Sequence, residues 1–257
     1  MANGLTSPLV FFGIPLLAAL LVGLLAFGVG RAERELGSPL RLAVQRAALS
    51  GFLGVSWASL TLLLAQSGLL TRFEARPPPL LLLLTFSLLV AVGLGQSRFG
   101  DRLQRGLPLW VLVGFQAFRV PLELVLHRAA SDGTMPVEMS FSGYNFDILS
   151  GASALLLGAG LGFRRFGPRA ALVWNIGALL LLCNIVGIAV AATPIFHAFG
   201  AEHVNVWITH APYVLLPTIL VTAALFGHVL VFRKLAALRR INASGTDSAG
   251  RRRPDRA

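Results

Sequence analysis

Seven runs of apolar residues, at approximately 8–30, 43–66, 78–95, 107–128, 145–163, 170–192 and 206–232, follow one another with only short polar breaks. Each holds about 18–27 residues, enough for a helix to cross the roughly 30 Å of bilayer hydrocarbon. Within hydrocarbon every backbone N–H and C=O needs a partner inside the protein, so only helices or a closed barrel can span it. The runs show no alternation of period two, which removes the barrel. The expectation is an all-α polytopic membrane protein, a bundle of seven transmembrane helices within residues 1–240. Composition agrees, with 13% charged residues where soluble domains carry about 25%.

The basic residues orient the bundle. Eighteen of them fall after the first, third, fifth and seventh runs, beginning with Arg31, Arg98, Arg164 and Arg233, whereas only Arg72, Arg76 and Arg128 lie on the other side. The positive-inside rule then places the N-terminus outside and the C-terminus in the cytoplasm. The N-terminus lacks a basic leader and a small-x-small cleavage site, so the first run is read as retained. Residues 241–257 are polar and basic, and are expected to form a disordered cytoplasmic tail against anionic inner-leaflet lipid. The net charge of +11 is thereby a topology signal, with no aromatic-interleaved basic domain for nucleic acid.

The fourth run carries a polar stripe. Gln116, Arg119, Glu123 and His127 fall within an arc of roughly 80° on a helix, and Arg119 to His127 spans about 12 Å along its axis. Each ionisable group near a bilayer centre costs about 2.5–3.5 kcal/mol, so the stripe must face protein or a wet cavity. Its bland reading is an i,i+4 ion pair between Arg119 and Glu123 that fixes packing. Pro121 removes one backbone donor beside Arg119, and Pro212 and Pro217 bend the last run and free carbonyls there.

Further polar residues gather toward the same outer half. The loop from Ala129 to Tyr144 holds Met135, Met139, Phe141 and Tyr144, and reads as a lid or an interfacial anchor. It leads to Asn145 and Asp147, which suit helix capping. Asn175 and Asn184 read first as interhelical glue. His197, Glu202, His203 and His210 complete the outer set, whereas His228 is placed at the cytoplasmic end and left out. The proposed ligand or proton pocket comprises Gln116, Arg119, Glu123, His127, Asn145, Asp147, Asn184 and His210. Rows of small residues, Ser50–Gly54–Ala58 and Ala154–Gly158–Gly162, permit close helix crossings, within the chain or in a homo-oligomer.

The stretch FRVPLELVLH, the Met- and Pro-containing loop and then GYNFDILSG resemble a family of multi-pass bacterial inner-membrane proteins. WNIGALLLLCNIV and TPIFHAF are similar to that family as well. The resemblance covers roughly residues 107–232, the earlier helices matching only in character. It implies a place in a bacterial inner (plasma) membrane and that Arg119, Glu123, Asn145, Asp147 and Asn184 form one motif set, and it implies no particular reaction.

Three function classes follow. Transport of a small solute, or proton-coupled conduction, suits a titratable stripe on a kinked helix. An intramembrane enzyme or redox-cofactor protein is the alternative: Glu123 and His127 stand at i,i+4, and a haem or metal between His127 and His210 is conceivable. No H-x-x-x-H or E-x-x-H pair completes a metal shell, so no cofactor is expected. A structural or assembly subunit is the third. Retinal chemistry is excluded by the sole lysine, Lys234, at the cytoplasmic end, and no Gly-rich phosphate loop is present.

Overall fold

The computed structural model describes residues 7–250, with side chains through Ile241, and contains no strand among them. Helices α1 (Pro8–Glu35), α2 (Leu40–Gln66) and α3 (Pro79–Gln96) run up and down, and a short amphipathic helix α4 (Arg98–Gly106) follows. The next apolar segment, Leu109–Ser131, consists of α5 (Leu109–Gly114), a 3₁₀ turn Phe115–Phe118 and α6 (Arg119–Ser131). Then come α7 (Ile148–Gly162), α8 (Pro168–Ala191) and α9 (Val221–Gly250), the last preceded by a π-helical turn at Leu216–Leu220. Six of these segments are long and apolar enough to cross a membrane, which makes the chain compatible with a multi-pass membrane protein.

The fifth apolar run behaves differently. Helix α7 has 15 residues, about 22 Å, which is short of the hydrocarbon thickness. The missing depth is made up by the irregular segment 132–147, which folds back into the bundle. Met135, Met139, Ser140 and Asn145 along it are all buried. Non-helical backbone is tolerated at membrane depth only where protein encloses it, and here protein does.

Small residues set how closely α7 can approach. A methyl group on Gly151 would lie 2.7 Å from the Val120 amide nitrogen, and one on Gly158 would lie 3.0 Å from the Gly114 backbone. These glycines let α7 lie directly on the α5–α6 segment. Gly54 does the same for α2 against Val22 of α1. Both small-residue rows therefore serve crossings within the chain.

The last span begins later than its hydropathy suggests. Residues 207–215 form a 3₁₀ turn and loop, and helix starts only at Leu216, where the sequence places it near 206. The cause lies in Pro212 and Pro217, which cannot donate backbone hydrogen bonds and so delay regular helix. Side chains serve carbonyls of the π turn. Trp57 Nε1 donates to the Thr218 carbonyl at 3.1 Å, and Thr222 Oγ1 donates to that of Pro217 at 3.1 Å. Helix α9 then runs through Gly250, past the start of the tail expected from residue 241; residues 251–257 lie outside the described residues.

At the arginine-rich end, Glu33 of α1 is buried and ties three elements together. It accepts from Arg46 of α2 at 2.7 Å and from Ser38 at 2.6 Å, and takes two contacts from Arg102 of α4. Arg233 of α9 donates to the Gly95 and Ser97 carbonyls at 2.6 and 2.8 Å, closing the C-terminus of α3. Residues that count as topology signals in the sequence thus also cap and clasp helices. The core divides into an apolar cluster at this end, around Leu112, Leu157 and Leu235, and a larger one toward the opposite end.

Candidate functional site

Arg119 opens α6 just after the 3₁₀ turn, because Pro121 cannot donate to the Ala117 carbonyl and the regular ladder is broken there. Its side chain is almost wholly buried, at 1% exposure. The partner expected from the sequence, Glu123, is not the one it meets. Arg119 Nε lies 2.9 Å from Asp147 Oδ2, an ion-pair distance at which the N–H does not point along the contact. Asp147 sits at the N-cap of α7 but makes no capping bond through its side chain, so capping does not explain it. The fold-back of segment 132–147, invisible to i,i+4 reasoning, is what changes the partner.

Glu123 is held by Asn145 instead. The Asn145 amide donates to Glu123 Oε2 at 2.7 Å and to the Met139 carbonyl at 3.0 Å, while its own Oδ1 accepts from the Asp147 backbone N–H at 3.0 Å. One asparagine thereby fixes the Glu123 carboxyl, the loop and the entry to α7 together. Gln116 is fully buried and donates to the Ala224 carbonyl of α9 at 2.9 Å. Its amide fits because Gly227 leaves the space: a methyl there would stand 2.5 Å from Gln116 Nε2.

The sequence reading omitted His228, and the structure puts it in the middle of the cluster. Its ring is fully buried, with Nε2 3.3 Å from Arg119 Nη1 and Nδ1 2.8 Å from Asn175 Oδ1. The late start of the last helix is the reason, since it shifts residue 228 from the end of the span to its centre. The two prolines were the signal that could have found it. A continuous set of polar side chains thus runs Asn145–Glu123, Asp147–Arg119, His228, Asn175, contributed by α6, the 132–147 segment, α9 and α8.

The remaining sequence candidates lie outside this set. His127 is half-buried at the rim, where it stacks on Phe141 with ring centroids 4.2 Å apart. Asn184 is exposed and donates to the Tyr144 carbonyl at 2.8 Å. His197, Glu202 and His210 are exposed; His210 Nδ1 contacts Thr209 Oγ1 at 3.0 Å. His203 pairs with Glu138 at 2.7 Å, linking the two loops of this end. Among the described residues, no group of three or more His, Cys, Asp or Glu side chains is placed to hold a metal.

A cavity of about 70 Å³ adjoins the charged cluster. Its walls are apolar side chains of α3, α6, α8 and the π turn, and Arg119, Glu123 and Asp147 are the charged groups that reach it. Met139 of the folded-back loop covers one side. Two polar atoms here lack full partners. Arg119 Nη2 makes no hydrogen bond among the described residues, and Asp147 Oδ1 has the Ser150 hydroxyl beside it; both atoms are sealed from the cavity. One guanidinium also accompanies two buried carboxyl groups, Asp147 at ion-pair distance and Glu123 held by Asn145. Chemically, the arrangement can hold a small polar group and can carry a proton.

No protein-family model matches the sequence, and no curated protein or solved structure matches it either.

Proposed function

We propose that this chain is a multi-pass protein of the bacterial inner membrane that binds a small ligand at the Arg119–Asp147 pair and moves it, or a proton, through the bundle. The observation that carries the reading is a buried ion pair beside an apolar cavity, with a guanidinium nitrogen left without a hydrogen-bond partner among the described residues. A purely structural pair would be expected to satisfy it. The polar chain to His228 and Asn175 supports movement beyond the cavity. The apolar cluster around Leu112 and Leu235 closes the arginine-rich end, which suits a protein whose access alternates between sides. The arginine distribution supports a cytoplasmic position for that end and a periplasmic position for the pocket. The resemblance carried by residues 107–232 fits the same placement, because the residues it groups include Arg119, Glu123, Asn145 and Asp147.

The test uses liposomes containing the purified chain and an internal pH-sensitive dye such as pyranine. An imposed pH step should relax at least tenfold faster than in empty liposomes, and Asp147→Asn should abolish the difference. Relaxation equal to that of empty liposomes, or undiminished in Asp147→Asn, overturns the proton-coupled reading.

A further inference from the structure

A groove runs along the outer face of the bundle between α7 and α8. Leu156 and Leu157 of α7 form one wall, and Ala170 and Val173 of α8 form the other. Leu156 and Val173 are each 72% exposed, so the groove is open outward along its length. Two contacts give it ends. Away from the turn, Trp174 Nε1 donates across to Ser153 Oγ at 2.9 Å and bridges the helices. At the turn, Phe166 lies directly on Gly160, where a methyl group would overlap its ring. In a chain that crosses a membrane, such a groove faces lipid.

Charge stands at the turn end. Arg169 lines the groove from the first turn of α8, and Arg164 and Arg165 occupy the adjoining turn. All three are exposed, and none makes an ion pair or side-chain hydrogen bond among the described residues. No acidic residue occurs between Asp147 and Glu202, so neither helix neutralises them. By contrast, Arg46, Arg102 and Arg233 at the same end each have an acidic partner within the chain. The helix dipole accounts for Arg164 and Arg165, which follow the C-terminus of α7, but it works against a cation at the start of α8. Arg169 therefore gains most from an anion supplied from outside. Guanidinium groups beside an apolar, outward-facing groove complement a phosphate that carries an acyl chain. A free phosphate would use the arginines and leave the groove unfilled.

We propose that the α7–α8 groove binds one anionic phospholipid, with its phosphate at Arg169, Arg164 and Arg165 beside it, and one acyl chain between Leu156 and Val173. Basic sites between helices suit anionic head groups of the cytoplasmic leaflet, the side to which the positive-inside rule assigns this end. The site is separate from the Arg119–Asp147 pocket and requires only that the chain crosses a membrane.

Native mass spectrometry of the full chain in detergent tests it, with phosphatidylglycerol and phosphatidylcholine of the same acyl chains as competing probes. One phosphatidylglycerol should be retained per chain, at least tenfold in preference to phosphatidylcholine. Arg169→Gln should lower that preference at least fivefold. Arg98→Gln, at an exposed arginine of α4 at the same end, should leave it within twofold. Leu156→Trp should reduce phosphatidylglycerol retention at least fivefold with every arginine intact, and thermal melting shows whether it is folded. Equal retention of the two lipids overturns the proposal. Equal loss in Arg169→Gln and Arg98→Gln does so too, since it would mean a diffuse basic face. Undiminished retention in folded Leu156→Trp, or displacement of the lipid by inorganic phosphate, would mean a phosphate site that does not use the groove, and also overturns it. If Leu156→Trp unfolds, the two arginine variants decide alone. The pH-relaxation test of the Arg119–Asp147 pair stands or falls separately from all of these results.

Discussion

Arg119 Nη1 stands 3.3 Å from His228 Nε2, a contact across 109 residues of sequence that joins the charged cluster of α6 to the centre of the last helix. Asn175 Oδ1 accepts from Nδ1 at the other edge of the same ring, 2.8 Å away, so the imidazole is clamped between a guanidinium and an amide. Replacing it by glutamine keeps hydrogen-bonding groups at this depth and removes the titratable ring. His228→Gln should therefore fold with a melting midpoint close to wild type and slow the dye-reported pH relaxation at least tenfold. Undiminished relaxation would show that the ring is packing alone.

The ion pair separates two partner assignments. Arg119→Ala leaves Asp147 buried without a cation and should cost about 3–5 kcal/mol, whereas Arg119→Met combined with Asp147→Leu should recover much of that loss. Combination of Arg119→Met with Glu123→Leu should recover far less, since Glu123 leans on Asn145 rather than on Arg119. Thermal melts of the set in detergent give the coupling energies. A larger coupling to Glu123 than to Asp147 contradicts the arrangement.

Gly151 is a steric gate for the whole site. A side chain there meets the Val120 amide nitrogen at 2.7 Å, and backbone cannot move aside as a rotamer can. Gly151→Ala should lower stability by about 1–3 kcal/mol and weaken any function that needs Asp147 beside Arg119. A silent substitution in both assays would mean that α7 lies farther from α6 than described.

Glu33 illustrates which member of a cluster matters. Its carboxylate is buried while Arg46 and Arg102 keep about 40% of their side chains exposed. Glu33→Ala releases two arginines that water can solvate, and should cost only about 1–2 kcal/mol. Removing both arginines instead strands the buried carboxylate, so the Arg46→Ala, Arg102→Ala double variant should be the less stable of the two. Melting midpoints in the opposite order refute this.

Orientation is tested by reporter fusion. Alkaline phosphatase inserted at Gly200 should be active and one fused after Arg240 inactive, as the arginine distribution requires. The reverse result turns the pocket toward the cytoplasm.

Hydropathy makes the helical membrane class legible, because apolar runs of this length admit few structures. The buried members of the stripe, Gln116, Arg119 and Glu123, were legible too, since helical periodicity alone puts them on one face. Pairing was not. The i,i+4 rule sees only neighbours on one helix, and Asp147 reaches Arg119 through a fold-back that no local pattern records. His228 was lost through a ten-residue error in one helix start, even though Pro212 and Pro217 stood in the sequence as its cause. His127 shows the converse error: it shares the stripe's face, but the helix carries it past the packed interior to the rim.

The shortness of α7 bears on how the protein is made. A helix of 15 residues is a poor stop for a chain being threaded into a membrane. Neither Arg119 nor Asp147 enters cheaply alone, at about 2.5–3.5 kcal/mol for each such charge. Brought in together, the two neutralise one another and Asn145 satisfies Glu123 and the Met139 carbonyl at the same moment. The order of synthesis makes this workable, because only the 132–147 segment separates α6 from α7. In a chain that crosses a membrane, helices α6 and α7 are therefore expected to enter as one hairpin, with Arg119 already facing Asp147.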